Sequence, residues 1–157
     1  MFCRLGFAAI FTFSAITGSF GQDNSAQPTC ELIRQAALYQ QQLLKLSNSY
    51  DETTTEIVIR LAGIQYELGN FELANKSYTE AIQSLHVSQG PNSEATLSVT
   101  EGFNQSFYAQ QNWRLLDSNL HLANYISGKL FDAQDLRYIK SATSLASWKM
   151  KAYQTGI

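Results

Sequence analysis

From residue 30 onward, the apolar positions fall at helical spacing. Ile57, Leu61, Ile64 and Leu68 recur at intervals of four, three and four. That stripe covers one face of a helix, and strict alternation fails. Leu32, Ile33, Ala36, Ala37, Leu43, Leu44 and Leu46 give a similar face upstream. The pattern predicts helices over 30–47, 54–68, 71–85, 94–109, 113–127 and 133–153. Thr29 is placed to cap the first of these, and Asp51 or Thr53 the second. Asn48–Asp51, Gly69-Asn70 and Gly90-Pro91-Asn92 punctuate the chain. No segment reads as a strand. The expectation is an all-α chain of about five to six helices joined by short turns.

Sliding the chain by 42 residues aligns Tyr66 with Tyr108, Asn70 with Asn112, Leu73 with Leu115 and Ala81 with Ala123. It also sets Phe71 against Trp113, Thr54 against Thr96, Ile57 against Val99 and Leu61 against Phe103. An aromatic just after an inter-helix turn plugs the junction. A small Ala in the second helix lets the two axes approach, because interaxial distance follows side-chain size. Two similar hairpins, about 51–85 and 93–127, would then lie side by side. Their shared dry seam is expected around Leu61, Phe71, Phe103 and Trp113.

Leu61-Ala62, Tyr66, Gly69, Phe71, Ala74, Tyr78, Ala81 and Ile82 resemble a tetratricopeptide repeat. The family's early Trp is absent, with Val58 in its place, and Tyr66 stands one position after the family's usual tyrosine. In the second unit Gln111 replaces the turn Gly, Leu116 and Leu120 replace Ala74 and Tyr78, and Asn104 replaces Ala62. The long period is similar to the variant repeat of kinesin light chains. The resemblance implies a short α-solenoid of helix-turn-helix repeats over residues 30–157, with 30–47 and 133–153 as flanking half-repeats. It resembles secreted bacterial proteins of this type, and both a short and a truncated version fit. In such arrays the first helix of each unit lines the concave surface. Arg60, Tyr66, Glu67, Gln105 and Tyr108 are the candidate partner-binding residues on that surface. Packing between helices is the competing role for Tyr66 and Tyr108.

Residues 1–21 have one basic residue, Arg4, then a short apolar run, then Gly18, Ser19 and Gly21. This is the layout of a secretory signal peptide, and the apolar run is too short for a membrane-spanning helix. Residues 22–29 read as a flexible leader. Export across the inner membrane to a periplasmic location follows, with membrane contact only during export. Cys30 is then the one cysteine of the mature chain, and an inert packed side chain is the favoured reading.

Eleven Lys and Arg against thirteen Asp and Glu give a net charge of -2. No basic surplus exists to neutralise phosphates, so nucleic acid is not an expected partner. The two histidines, His86 and His121, lie far apart, and no metal-binding, phosphate-binding or nucleophile motif appears. No cofactor, metal or catalysis is expected. The expected function is a secreted module that binds a peptide or protein partner. Trp148, Met150 and Tyr153 near the end suggest an apolar surface suited to self-association. Two alternatives stay open: a closed helical bundle holding a small apolar ligand, and an accessory or regulatory domain of an envelope enzyme.

Overall fold

The computed structural model describes residues 26–46 and 51–156. The expected signal peptide, and the leader up to residue 25, lie outside the described residues. Those described form six α-helices and no strand: α1 (Ala26–Leu43), α2 (Glu52–Glu67), α3 (Phe71–Ser88), α4 (Glu94–Ala109), α5 (Trp113–Leu130) and α6 (Leu136–Thr155). Each helix packs on the next in sequence, and α2 also meets α4. No described helix is long and apolar enough to cross a membrane.

The 42-residue spacing recurs in the backbone. Asp51, Ser93 and Asp135 precede α2, α4 and α6, each in extended conformation. Ser93 Oγ accepts the Thr96 amide at 3.1 Å, and Asp135 Oδ1 accepts the Arg137 amide at 2.8 Å. Such bonds satisfy amides that the first helical turn leaves unpaired. The turns after α2 and α4 match bond for bond. Gly69 donates to the Tyr66 carbonyl at 2.9 Å and Gln111 to that of Tyr108 at 3.0 Å. Asn70 donates to Gln65 at 2.8 Å and Asn112 to Phe107 at 2.9 Å. Both turns need a left-handed residue, with φ 76° at Gly69 and 55° at Gln111. Gly adopts that conformation without steric cost and Gln does not. The aromatic after each turn covers the tyrosine before it, Phe71 on Tyr66 at 5.7 Å and Trp113 on Tyr108 at 5.6 Å between ring centres.

The flanking helices keep the same register. Ala74, Tyr78, Ala81 and Leu85 are buried on α3, and Leu116, Leu120, Ala123 and Ser127 on α5. The corresponding Leu32, Ala36, Tyr39 and Leu43 are the half-buried face of α1. By this measure α1, α3 and α5 are equivalents, as α2, α4 and α6 are by the extended residue that precedes each at a spacing of 42.

Boundaries differ from expectation at several ends. α1 begins before Thr29, because Pro28 lies in the first turn, where a missing N–H costs nothing. α3 and α5 run about a turn beyond the apolar stripe, since polar residues prolong a helix until a breaker such as Gly90, at φ 86°. α6 begins three residues later than expected because the Asp135 carboxylate caps it.

The core has two clusters. One centres on Ala62, Ala74, Tyr78, Ala81, Leu85 and Val99, where fully buried Ala62 and Ala74 let α2 and α3 close together. The other centres on Phe107, Leu116, Leu120 and Trp148. Phe103 packs against both. Of the four residues expected at the seam, Leu61 is buried and Phe71, Phe103 and Trp113 are half-buried. Several polar groups inside are bonded, as burial favours: Ser77 Oγ donates to Gln65 at 2.9 Å, and Asn119 Nδ2 to Asn104 at 2.9 Å.

Candidate functional site

The candidate site arises from a difference between two equivalent places. Between α2 and α4, the Tyr78 side chain reaches across from α3 and fills the space. Its ring lies 5.7 Å from that of Phe103. It also lies so close to α4 that a Cβ on Gly102 would stand 2.6 Å from the phenol oxygen. Burial pushes the Tyr78 phenol above its ordinary pKa, and nearby Tyr66 and Glu67 push it the same way. The phenol therefore sits among Tyr66, Glu67, Gly102 and Phe103.

Forty-two residues on, the corresponding positions are Leu120, Tyr108, Ala109, Ser144 and Leu145. Leu120 is too short to span the gap, and no Cα of α4 comes within 8 Å of one of α6. The result is a hollow of about 410 Å³. Tyr108, Ala109, Leu120 and Ser144 line it, joined by Tyr66, Asn104, Gln105, Leu116, Ser147, Trp148 and Lys151. A second hollow of about 240 Å³ continues towards the N-terminal ends of α4 and α6 and shares Leu120 and Ser144 with the first. Together they form one cleft, walled by α4 and α6 and floored by α5.

Long side chains hold the walls. Arg137 reaches Glu94 at 3.1 Å and Lys140 reaches Glu101 at 2.8 Å across the cleft. Lys151 donates a hydrogen bond to the Tyr108 hydroxyl, and its ammonium stands 4.4 Å from the centre of that ring. α6 is fixed to α5 through Asp117, which accepts Trp148 Nε1 at 2.8 Å and Lys149 Nζ at 2.6 Å. The Lys149 bond is the main reason the Asp117 carboxyl lies below its usual range; burial opposes it, and the Trp148 bond adds to the lowering. Buried Trp148 stacks on Trp113 at 5.6 Å.

Of the five residues singled out from the sequence, Tyr66, Gln105 and Tyr108 come together on the larger hollow. Arg60 and Glu67 do not line it. Arg60 is exposed and paired with Glu56 one turn earlier on α2, at 2.5 Å. Glu67 is exposed at the end of α2. Leu120, Ser144 and Lys151 were not among the candidates, and Trp148, expected on an apolar surface with Met150 and Tyr153, is instead buried while those two are exposed; Leu120, Ser144, Trp148 and Lys151 supply the floor and the second wall. The replacement of Tyr78 by Leu120 was the available signal, because a lost phenol in a repeated junction leaves space. His121 is exposed, 3.9 Å from Asp117, and His86 is exposed at the end of α3. Among the described residues, no three or more His, Cys, Asp or Glu are grouped to hold a metal ion.

The larger hollow offers an apolar floor, aromatic walls, amide and hydroxyl groups at the rim, and one ammonium, that of Lys151. These are the means of recognition: large apolar contact area, with a few polar groups to fix orientation. No family model matches the chain, and no curated protein or solved structure matches it either.

Proposed function

We propose that this chain is a short α-solenoid of tetratricopeptide type that binds a peptide or protein partner in the cleft between α4 and α6, without catalysis. One observation carries the reading. The cleft is lined mainly by α4 and α6, with Tyr66 of α2 at its rim. These are the helices that follow an extended residue at a spacing of 42, and first helices of stacked units present a continuous binding surface. The matched turns at Gly69 and Gln111 support a repeat array. The layout of residues 1–21 supports export to an envelope compartment, where the partner would be met. Tyr108 is 48% exposed while resting on Trp113, which gives a partner a rigid apolar surface with a polar tip.

The test is capture of partners from an envelope extract by the full chain and two variants. Tyr108→Ala removes a wall of the cleft. Lys76→Ala changes an exposed residue of α3 that lies outside it. Capture of the same protein should fall at least tenfold with the first and stay unchanged with the second. Equal capture by both would refute the cleft as the binding surface. N-terminal sequencing of the exported chain should begin at Gln22.

A further inference from the structure

The cleft contains the imprint of a particular side chain. In the junction of α2 with α4, the chain fills the space with its own phenol, that of Tyr78. In the junction of α4 with α6, three of the four positions equivalent to that phenol's surroundings, Tyr108, Ala109 and Ser144, line an empty hollow together with Leu120, the equivalent of Tyr78 itself. Ser144 stands where Gly102 passes the Tyr78 hydroxyl. Its Oγ donates to the Lys140 carbonyl at 2.9 Å, which leaves its lone pairs to accept a hydrogen bond. Among the described residues, the cation at this end, Lys151, has the Tyr108 hydroxyl as its partner and no paired carboxylate. It is thereby complementary to an anion placed beside an inserted ring.

We infer that the hollow receives the side chain of a tyrosine from the partner peptide, its ring on Leu120 and its hydroxyl on Ser144, with an adjacent carboxylate at Lys151. This inference rests on the peptide-binding reading above and names the residue that the cleft selects. The ring supplies apolar contact with Leu116 and Leu120, and Trp148 bounds the space. The hydroxyl distinguishes Tyr from Phe, because a hydrogen bond in a partly enclosed site is lost without it. The carboxylate adds a half-exposed ion pair, worth only a small factor in affinity.

The experiment titrates the full chain with N-acetyltyrosine, N-acetyltyrosinamide, N-acetylphenylalanine and N-acetylleucine, followed by the backbone amide signals of Tyr108, Ser144 and Ser147. N-acetyltyrosine should bind saturably in about the millimolar range, as a ligand of its size allows. The amide should bind about threefold more weakly, the phenylalanine compound about fivefold, and the leucine compound not measurably. Lys151→Met should erase the difference between acid and amide, and Ser144→Ala the difference between Tyr and Phe. The double variant Leu120→Tyr, Ser144→Gly should bind none of them. If that variant fails to fold, the two single variants decide. Retained differences in both, equal binding of the leucine compound, or no saturable shift overturns the inference. So does a self-associated chain that N-acetyltyrosine dissociates, since the occupant is then a tyrosine of another copy, such as Tyr153, which is 90% exposed. Loss of partner capture in Tyr108→Ala without any response to N-acetyltyrosine would remove this inference and leave the peptide-binding reading standing.

Discussion

The junction of α2 with α4 and the gap between α4 and α6 are built on the same spacing, and they end differently. The first is closed by the Tyr78 phenol over a glycine. The second has Leu120 facing Ser144 and is left open. Ile82 and Val99 pack into the closed core, whereas their equivalents Asn124 and Ser141 carry buried oxygens with no hydrogen-bond partner. Close packing gives the first pair its stability. The second pair gives up part of that stability and keeps a shaped space. The junction that carries Tyr78 is thus a core, and the one that carries Leu120 at the equivalent position is a cleft.

Substitutions at the paired positions should break this contrast, the largest effect coming first. Tyr78→Leu copies the open junction into the closed one. Loss of the ring should cost about 2–3 kcal/mol in urea unfolding and open a second hollow beside Gly102. Gly102→Ala should destabilise by about 1–2 kcal/mol. Its Cβ would meet the Tyr78 hydroxyl at 2.6 Å, and overpacking outweighs the gain in helix propensity. The equivalent Ser144→Ala, in open space, should stay within about 0.5 kcal/mol of the parent.

Asp117 anchors the far wall of the cleft, and Asp117→Asn should cost about 1 kcal/mol, a value reduced by the partial exposure of the carboxylate. The folded protein holds this carboxyl below its usual range. Its stabilisation is therefore complete above the unfolded carboxylate pKa of about 4 and is lost as pH falls through the lower folded value. The difference in unfolding free energy between parent and Asp117→Asn should shrink in acid below about pH 4. The smallest effect belongs to the turns. Gln111→Gly relieves a left-handed residue and should stabilise by about 0.5–1 kcal/mol, whereas Gly69→Gln should lower stability by a similar amount. Thermal unfolding of the two variants measures both.

The sequence carried the helices and their spacing because burial on one face leaves a regular stripe, as at Ile57, Leu61, Ile64 and Leu68. The turns were legible too, through Gly69 and through the aromatic that follows each one. The ends of α1 and α6 were less so. Pro28 marks a first turn as readily as a linker, and a cap such as Asp135 is one polar residue among several. The cleft was only partly legible. Tyr66, Gln105 and Tyr108 could be placed on a surface by the repeat, but a hollow is defined by what its lining fails to reach. That Leu120 stops short, that Trp148 turns inward to Asp117, and that Lys151 comes to Tyr108 are consequences of how far α6 stands from α4. No pattern in one helix records that distance. Arg60 showed the opposite limit: it shares a helix with Tyr66, yet its nearest opposite charge is its own neighbour Glu56.

The most direct test is the urea unfolding free energy of the double variant Leu120→Tyr, Ser144→Gly, which writes the closed junction into the open one. Filling the hollow with a buried phenol should raise stability by about 1–2 kcal/mol over the parent chain. A folded variant equal to or less stable than the parent would contradict the claim that the missing phenol is what opens the cleft.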